Sequence, residues 1–553
     1  VVRRFLTGND ATASVLSTAL YQQINPQKVT EPAEDRASGE RDEWNLGAYE
    51  MQEKSSHEGT RKLLIFSDSR QDAAFFAPYL NHTYNQILRR SLIIKTLKDY
   101  KGQIIENKWR IQNLADALYK TADEAGIFEQ SSIQDNKNEV YKWLFYEFLG
   151  LNKRNSLEAL GLIHFSLVKP KYWRAPPPLL RSPWNMTEEE VWTLFQVLLD
   201  TFRNKGAVLF PEWISPRDEF FQPRNREFYF RGNQTCSKRG ILSWNTDRLN
   251  GRLDYIIRVA KNLNPTITKE ECIELLKTIW DRCLLLGSPN SVWGDHFHAK
   301  NLTGEGVVYQ IGNHVWEIAS PLVHDDIQWY ICDTCNTITP YNIRGTCVSY
   351  QCTGKLHSCD PLDVFEDNHY YRLYMETKPI KMYAEEHTAQ LTSQSAAELQ
   401  TKFVNGEVNI LSCSTTFELG IDVGELEAVF MRNMPPSAAN YIQRAGRAGR
   451  RADSAAFVLT FAQRKSHDIT HYHEPWRMVA GEIRAPYITL DNEKIILRHI
   501  FATALSKFWA ENNDYFGNVE SFFFHAGRPG PEKLKQYLKS KPPALYKSLK
   551  RIV

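Results

Sequence analysis

Short apolar runs that break into polar turns recur at two places far apart in the chain. Lys62-Leu63-Leu64-Ile65-Phe66 runs into Ser67-Asp68-Ser69-Arg70-Gln71-Asp72, which predicts a buried strand and a turn whose side chains cap a helix over 73–80. The same signature returns at Val408-Asn409-Ile410-Leu411, Ala428-Val429-Phe430-Met431 and Ala456-Phe457-Val458-Leu459-Thr460. Between these runs Ala396, Leu399 and Phe403 keep helical spacing within 395–405, and a helix over 437–447 enters behind Pro435-Pro436. Strands that alternate with helices predict a parallel α/β sheet. If the run at 63–66 belongs to that sheet, about 300 residues separate it from the helix at 395, far beyond a loop of ~15 residues, so the insertion must fold by itself.

Within the insertion, 87–97, 114–122, 140–149, 189–202 and 270–286 carry apolar residues three and four apart and read as helices. A proline-rich connector runs from Lys169 to Pro183. The run 220–239 interleaves Arg224, Arg226, Arg231, Lys238 and Arg239 with Phe228, Tyr229 and Phe230. It fits either a grip on a nucleic-acid strand or a strand pair with a solvated face. Residues 28–61 are polar and read as a linker.

Composition adds mainly exclusions. A chain of 553 residues is long enough for several cores, and 42% hydrophobic content excludes a mostly disordered polymer. Lys+Arg 67 against Asp+Glu 65 leaves +2, so net charge does not choose a partner. There is no apolar run of about 18 residues and no signal-peptide core, which favours a cytoplasmic protein without a membrane partner. The first residue is Val1 rather than Met, and further sequence is expected upstream.

Five of nine cysteines fall between Cys332 and Cys359. Cys332-Asp333-Thr334-Cys335 is a two-thiolate knuckle, and Cys347 with Cys352 completes a tetrahedral set for Zn²⁺. Tyr350 and Gly354 suit the turn of a ribbon, and Cys359 and His357 stand as spare donors. A closed four-thiolate site is structural, because no coordination position stays open for substrate.

The most constrained segment is Tyr441-Ile442-Gln443-Arg444-Ala445-Gly446-Arg447-Ala448-Gly449-Arg450-Arg451. Arginines three apart on a helix present guanidinium forks to one polyanion, and a positioned arginine stabilises the charge of a γ-phosphoryl in transfer. The segment resembles motif VI of superfamily 2 helicases. Ser414-Thr415-Thr416-Phe417-Glu418-Leu419-Gly420-Ile421-Asp422-Val423-Gly424 resembles motif V, and Leu64-Ile65-Phe66-Ser67-Asp68-Ser69-Arg70 resembles motif IV. Glu386-His387-Thr388-Ala389-Gln390-Leu391, Pro435-Pro436 and Tyr441 resemble the mitomycin-repair branch, whose members carry a cysteine-rich zinc module. The long insertion is similar to that of the large anti-phage helicases of the Druantia type.

The resemblance implies an α/β RecA-like helicase C-terminal domain with a large helical insertion and a small zinc ribbon. Its divisions are a linker and polar loop over 1–61, the start of a second RecA-like domain over 62–82 and the helical insertion over 83–320. The zinc ribbon spans 321–365 and the rest of the RecA-like domain 366–465. An accessory domain begins at 466 and runs to 553, ending in a basic tail. By the same resemblance Arg447 and Arg450 are arginine fingers, Gln443, Arg444, Gly420 and Asp422 serve the nucleotide, and Arg70, Ser414 and Thr415 contact a DNA strand, single-stranded by expectation. ATP and Mg²⁺ are implied as cofactors beside Zn²⁺, and other subunits are conceivable partners.

One departure stands out. The chain holds no G-x-x-x-x-G-K-[ST] loop and no metal-holding acidic box. The first RecA-like domain is therefore expected in other sequence of the same protein, and the chain alone is expected to be inactive. The rival reading is a non-hydrolysing RecA-like scaffold that binds nucleic acid within a larger complex. Two features stay open. His471, His473 and Glu474, with Arg498 and His499 further on, suit either a second metal site or a packed domain-joining segment. The stretch 528–551 sets eight Lys/Arg against Glu532 alone, which suits a phosphate-contacting surface or a solvated helix.

Overall fold

The computed structural model describes residues 9–26, 61–128, 132–152, 154–232, 240–246, 248–289, 291–388, 390–415, 426–449, 455–481, 492–524 and 527–551. Contacts divide the chain into two compact units, Val1–Val479 and Ala480–Val553. In the first, strand β1 (Leu63–Phe66) leads into a helix of 30 residues, Arg70–Asp99. Ser69 caps it by accepting from the Asp72 N–H. Two helices expected from the sequence, 73–80 and 87–97, are thus one. The polar break between them is occupied by Asn81, whose side chain bonds both the N–H (2.8 Å) and the C=O (2.7 Å) of Ala384, as a neighbouring strand would.

The insertion mixes strands with its helices. Among the helices are Ile111–Glu124, Ile133–Phe148, Glu188–Arg203, Gly251–Leu263 and Lys269–Thr278. The strands are β2 (His164–Leu167), β3 (Tyr229–Arg231), β4 (Ile241–Ser243), β5 (Phe297–Leu302), β6 (Gly306–Ile311) and β7 (Trp316–Ala319). β2 pairs with β7, and the other four form a sheet in the order β4-β3-β6-β5. Three strands, β8 (Trp329–Cys332), β9 (Ile338–Thr339) and β10 (Leu356–Cys359), follow as a small sheet in the order β10-β8-β9.

A buried ion cluster anchors the insertion. Arg203 is wholly enclosed, bonds Glu158 at 2.8 and 2.9 Å, also bonds Asp200, and lies against the rings of Phe148, Phe165 and Trp316. Burial is the largest influence on Glu158 and opposes its ionisation, yet Arg203 and His164 together, by charge and hydrogen bonding, outweigh it and hold the carboxyl down at about 2.

The chain then returns through β11 (Ala384–His387), β12 (Ile410–Cys413), β13 (Ala428–Met431) and β14 (Phe457–Thr460). With β1 they form one all-parallel sheet in the order β11-β12-β1-β13-β14. β1 therefore sits at the centre, with Leu63 opposite Ile410 on one side and Ala428 on the other. Both faces are covered: Leu64, Phe66, Leu411, Val429 and Met431 pack against Phe403 on one, while Leu63, Ile65, Ile410 and Phe430 join the core shared with the insertion. That two-sided burial is why these strands read as unbroken apolar runs.

Two boundaries differ from expectation. The stretch 1–61 contains the helix Asn9–Gln23, where Ala13 and Tyr21 are buried and Tyr21 donates to the Lys381 carbonyl at 2.8 Å. Its run of Ala, Ser and Thr gives a weak apolar stripe, which hides it in the sequence. The helix Ser466–His473, expected to open the accessory domain, belongs to the first unit, since the Asp468 carboxylate accepts from the N–H groups of Met434 and Gln463. The second unit gathers the rings of Tyr515, Phe516 and Tyr537 around buried Phe508. Among the described residues no helix is long and apolar enough to cross a membrane.

Candidate functional site

The carboxyl ends of β12, β1 and β13 lie side by side, because the Ser67 N–H donates to the Cys413 carbonyl (2.9 Å) and the Arg432 N–H to the Phe66 carbonyl (2.9 Å). That edge is where open parallel sheets receive ligands. Ser414 is enclosed there, and its hydroxyl has no hydrogen-bond partner among the described residues. Thr415 and Arg70 are exposed beyond the ends of β12 and β1.

Asp68 is the hub of this edge, a role its place in an ordinary strand-to-helix turn conceals. Its carboxylate lies 2.7 Å from Arg444 Nη2, its N–H donates to Asn433 Oδ1 at 3.2 Å, and the Asn433 amide donates back to the carboxylate. Arg444 is completely buried, with its guanidinium 5.5 Å from the Phe66 ring. Arg432 takes the other side: it donates to Ser67 Oγ (2.9 Å), the Asp72 carbonyl (2.8 Å) and Asp10, and lies 4.1 Å from the Phe76 ring. Sequence reading passed over Arg432 and Asn433. The available signal was a charged residue directly against the end of the apolar run 428–431.

The arginine segment is only partly helical. The helix spans Ala438–Ala445, capped by Ser437, and stops at Gly446 instead of running through 447. Gly449 then takes φ +86°, where a Cβ would meet the Ala456 Cβ at 2.6 Å, so glycine is required at that turn. Arg444 consequently lies within the helix and Arg447 beyond it. Arg447 is also buried, its N–H donating to the Arg444 carbonyl at 3.2 Å. Gln443 is exposed on the helix. Arg450, Gly420 and Asp422 lie outside the described residues.

The second centre is the thiol cluster. The Sγ atoms of Cys332, Cys335, Cys347 and Cys352 all lie within 4.8 Å of one another. Cys332 and Cys352 are 3.6 Å apart and Cys335 and Cys347 3.5 Å, close to the ~3.8 Å edge of a sulfur tetrahedron around zinc at about 2.3 Å per bond. At Cys335 burial works against the thiolate, but hydroxyls of Thr337 and Ser349 favour it and bring the thiol to about 6. Gly354 passes so close that a Cβ would stand 2.5 Å from Cys332 Sγ and 2.6 Å from both Asp333 Oδ1 and Thr334 Oγ1. The donor set and its spacing fit Zn²⁺.

Cys359 lies outside this cluster, on β10 opposite Trp329. His471 and Glu474 have other partners: His471 Nδ1 contacts the His467 carbonyl at 2.9 Å, and Glu474 pairs with Arg477. Among the described residues only the four cysteines group as metal donors.

Residues 363–452 match the family described as the helicase conserved C-terminal domain. Over 507 residues, 82% of this chain, the sequence is 31% identical to the Druantia protein DruE of Escherichia coli. The chain is similar to the superfamily 2 helicases, whose conserved C-terminal domain it carries over 363–452. It spans about a quarter of the length of DruE, which it covers to 25%. The helicase Lhr-Core protein 2 of Thermococcus barophilus is 30% identical over 149 residues, 26% of this chain and 17% of that protein. Among solved structures, the DUF1998 helicase MrfA bound to DNA and AMPPNP aligns at 18% identity over 31% of this chain and 22% of that one, with a TM-score of 0.22.

Proposed function

We propose that this helicase domain is the C-terminal portion of an ATP-dependent DNA helicase or translocase. In that role it supplies arginine fingers and strand contacts to a first RecA-like domain carried elsewhere in the same protein. The observation that supports it most is the ion pair of buried Arg444 with Asp68, 2.7 Å long, which ties the arginine segment to the end of β1. Such a tie uses Arg444 as an anchor, and Arg447, past the end of the helix, is assigned with Arg450 as the fingers toward the γ-phosphate. Gln443, with Gly420 and Asp422, is assigned to the nucleotide, and Arg444, expected with them, is assigned instead to Asp68. Ser414, Thr415 and Arg70 take the strand, since hydroxyls at strand ends donate to phosphate without adding charge and an arginine adds salt-sensitive attraction.

ATP and Mg²⁺ are held mainly by the partner domain, because these 553 residues contain no Walker loop. One Zn²⁺ on Cys332, Cys335, Cys347 and Cys352 closes the ribbon. The likeness to DruE supports a place in anti-phage defence.

The test is DNA-stimulated ATP hydrolysis by a longer protein that includes the phosphate-binding loop. The Arg447→Ala, Arg450→Ala double variant should lose about 10³–10⁵ in turnover while keeping much of its nucleotide affinity. Undiminished hydrolysis would select the scaffold reading instead.

A further inference from the structure

One helix of the insertion reaches the thiol cluster. Asp254, Arg258 and Asn262 stand four apart on Gly251–Leu263, and all three are spent on the loop 346–352. Arg258 Nη1 donates to the carbonyls of Cys347 and Cys352 (2.9 Å to the latter), and Nη2 donates to the Ser349 carbonyl at 2.8 Å. Asp254 Oδ2 holds Arg258 Nη2 at 2.8 Å and accepts the Gln351 N–H at 2.9 Å. Asn262 donates to Thr346 Oγ1 at 2.8 Å.

We propose that Arg258, oriented by Asp254, is a positioning residue for the metal: it sets the backbone of the second knuckle so that Cys347 and Cys352 reach the ion together. This rests on the zinc reading above. A knuckle works when its carbonyls face away from the sulfurs and its N–H groups face them. Here three carbonyls, two of them from ligand residues, are gathered on one guanidinium, while the Ser349 N–H points back to Cys347 Sγ at 3.4 Å. A planar fork with fixed donors imposes that arrangement; a lysine ammonium, a freely rotating point charge, does not. The side chains of Arg258 and Asp254 are 14% and 9% exposed, so water does not compete freely for the same carbonyls. Because Asp254 neutralises the guanidinium, the contribution is orientation more than charge.

The consequence is that metal occupancy and the insertion are linked. Partners beyond the ligands are worth about 10–100-fold in metal affinity, and linkage makes the effect reciprocal. The experiment uses the full 553-residue chain loaded with zinc, with release followed by a chromogenic chelator. Wild type and Arg258→Met should both start at one zinc per chain, with Arg258→Met holding it 10–100-fold more weakly and Arg258→Lys falling between. The cobalt(II)-substituted protein provides a readout that a merely structural contact would not move: its ligand-field bands should shift in Arg258→Met. Hydrogen exchange along 251–263 should slow on metal binding in wild type and much less in Arg258→Met. If Arg258→Met is too unstable to purify, Arg258→Lys and Asp254→Asn carry the same measurements. Equal zinc retention and identical cobalt spectra in the variants would overturn the proposal while leaving the metal site in place. A wild-type chain that takes up no zinc, or a Cys335→Ser variant that keeps it fully, would overturn the metal reading itself.

Discussion

Replacing Asp68 by Ala should loosen the helix Ala438–Ala445 selectively. The substitution leaves Arg444, fully enclosed, without the carboxylate 2.7 Å from it. Removing one partner of a buried pair costs about 3–5 kcal/mol because the other charge stays desolvated. The Asp68 side chain is 34% exposed, so water partly replaces it and the expected loss lies near the lower end, about 3 kcal/mol. Lost bonding with Asn433 adds about 1 kcal/mol. Arg444→Met keeps the contact with Phe66 and removes the buried charge that Asp68 balances, so the double variant should recover part of the loss. Native-state hydrogen exchange, read on peptides covering 438–449 and on 251–263 as an internal reference, measures the difference as local opening free energy. Protection of 438–449 unchanged to within about 0.5 kcal/mol in Asp68→Ala, or additive effects in the double variant, would refute the pair as the anchor of the arginine segment.

Gly354→Ala should weaken zinc retention by roughly 5- to 150-fold, the equivalent of about 1–3 kcal/mol of overpacking, because the new methyl meets Cys332 Sγ and two oxygens at once; chelator competition reads it. Stripping the metal from wild type should lower the melting temperature of the ribbon, followed by exchange over 329–359, and re-adding zinc should restore it. Arg70→Ala with Thr415→Ala should reduce single-stranded DNA affinity in a fluorescence titration and flatten its salt slope by about 0.7 for the lost arginine; an unchanged titration places the strand elsewhere. Glu147→Ala strands Arg90, whose ion pair with Glu147 is 2.7 Å long and 3% and 4% exposed, so it should cost about 3–5 kcal/mol in chemical denaturation.

Four of the five strands of the central sheet were legible because parallel strands buried on both faces need no polar alternation, as in Leu63–Phe66 and Ala428–Met431, whereas β11, with Glu385 and Glu386, was not. The cysteine cluster was legible for a different reason: thiolate spacing is itself the coordination chemistry. The sheet of the insertion was not. β3 and β4 have three residues each, and β5 exposes His298, Ala299, Lys300 and Asn301, so neither length nor alternation marks them. The arginine segment misled in one respect, since its spacing suggests a helix that runs through 447. Gly446 ends the helix after Arg444, and the partner of Arg444, Asp68, lies hundreds of residues upstream, where local spacing does not report it. Arg258 escaped notice because an Asp-x-x-x-Arg pair on a helix looks like any surface pair until its carbonyl partners are seen.

The position of β1 has a consequence for how the protein is made. Its neighbours in the sheet begin roughly 350 residues later, at Ile410 and Ala428. At a synthesis rate of about 5–20 residues per second, Leu63–Phe66 leaves the ribosome on the order of tens of seconds before either partner strand exists. A bare apolar strand invites wrong pairing over such an interval. The inserted segment, whose core Leu63 and Ile65 of β1 join, can condense on the waiting strand and bring the emerging β11 and β12 back to it through Asn81 and the Arg70–Asp99 helix. The insertion then serves as a folding jig for the sheet it interrupts. Shortening it should leave the finished sheet chemically intact yet harder to reach.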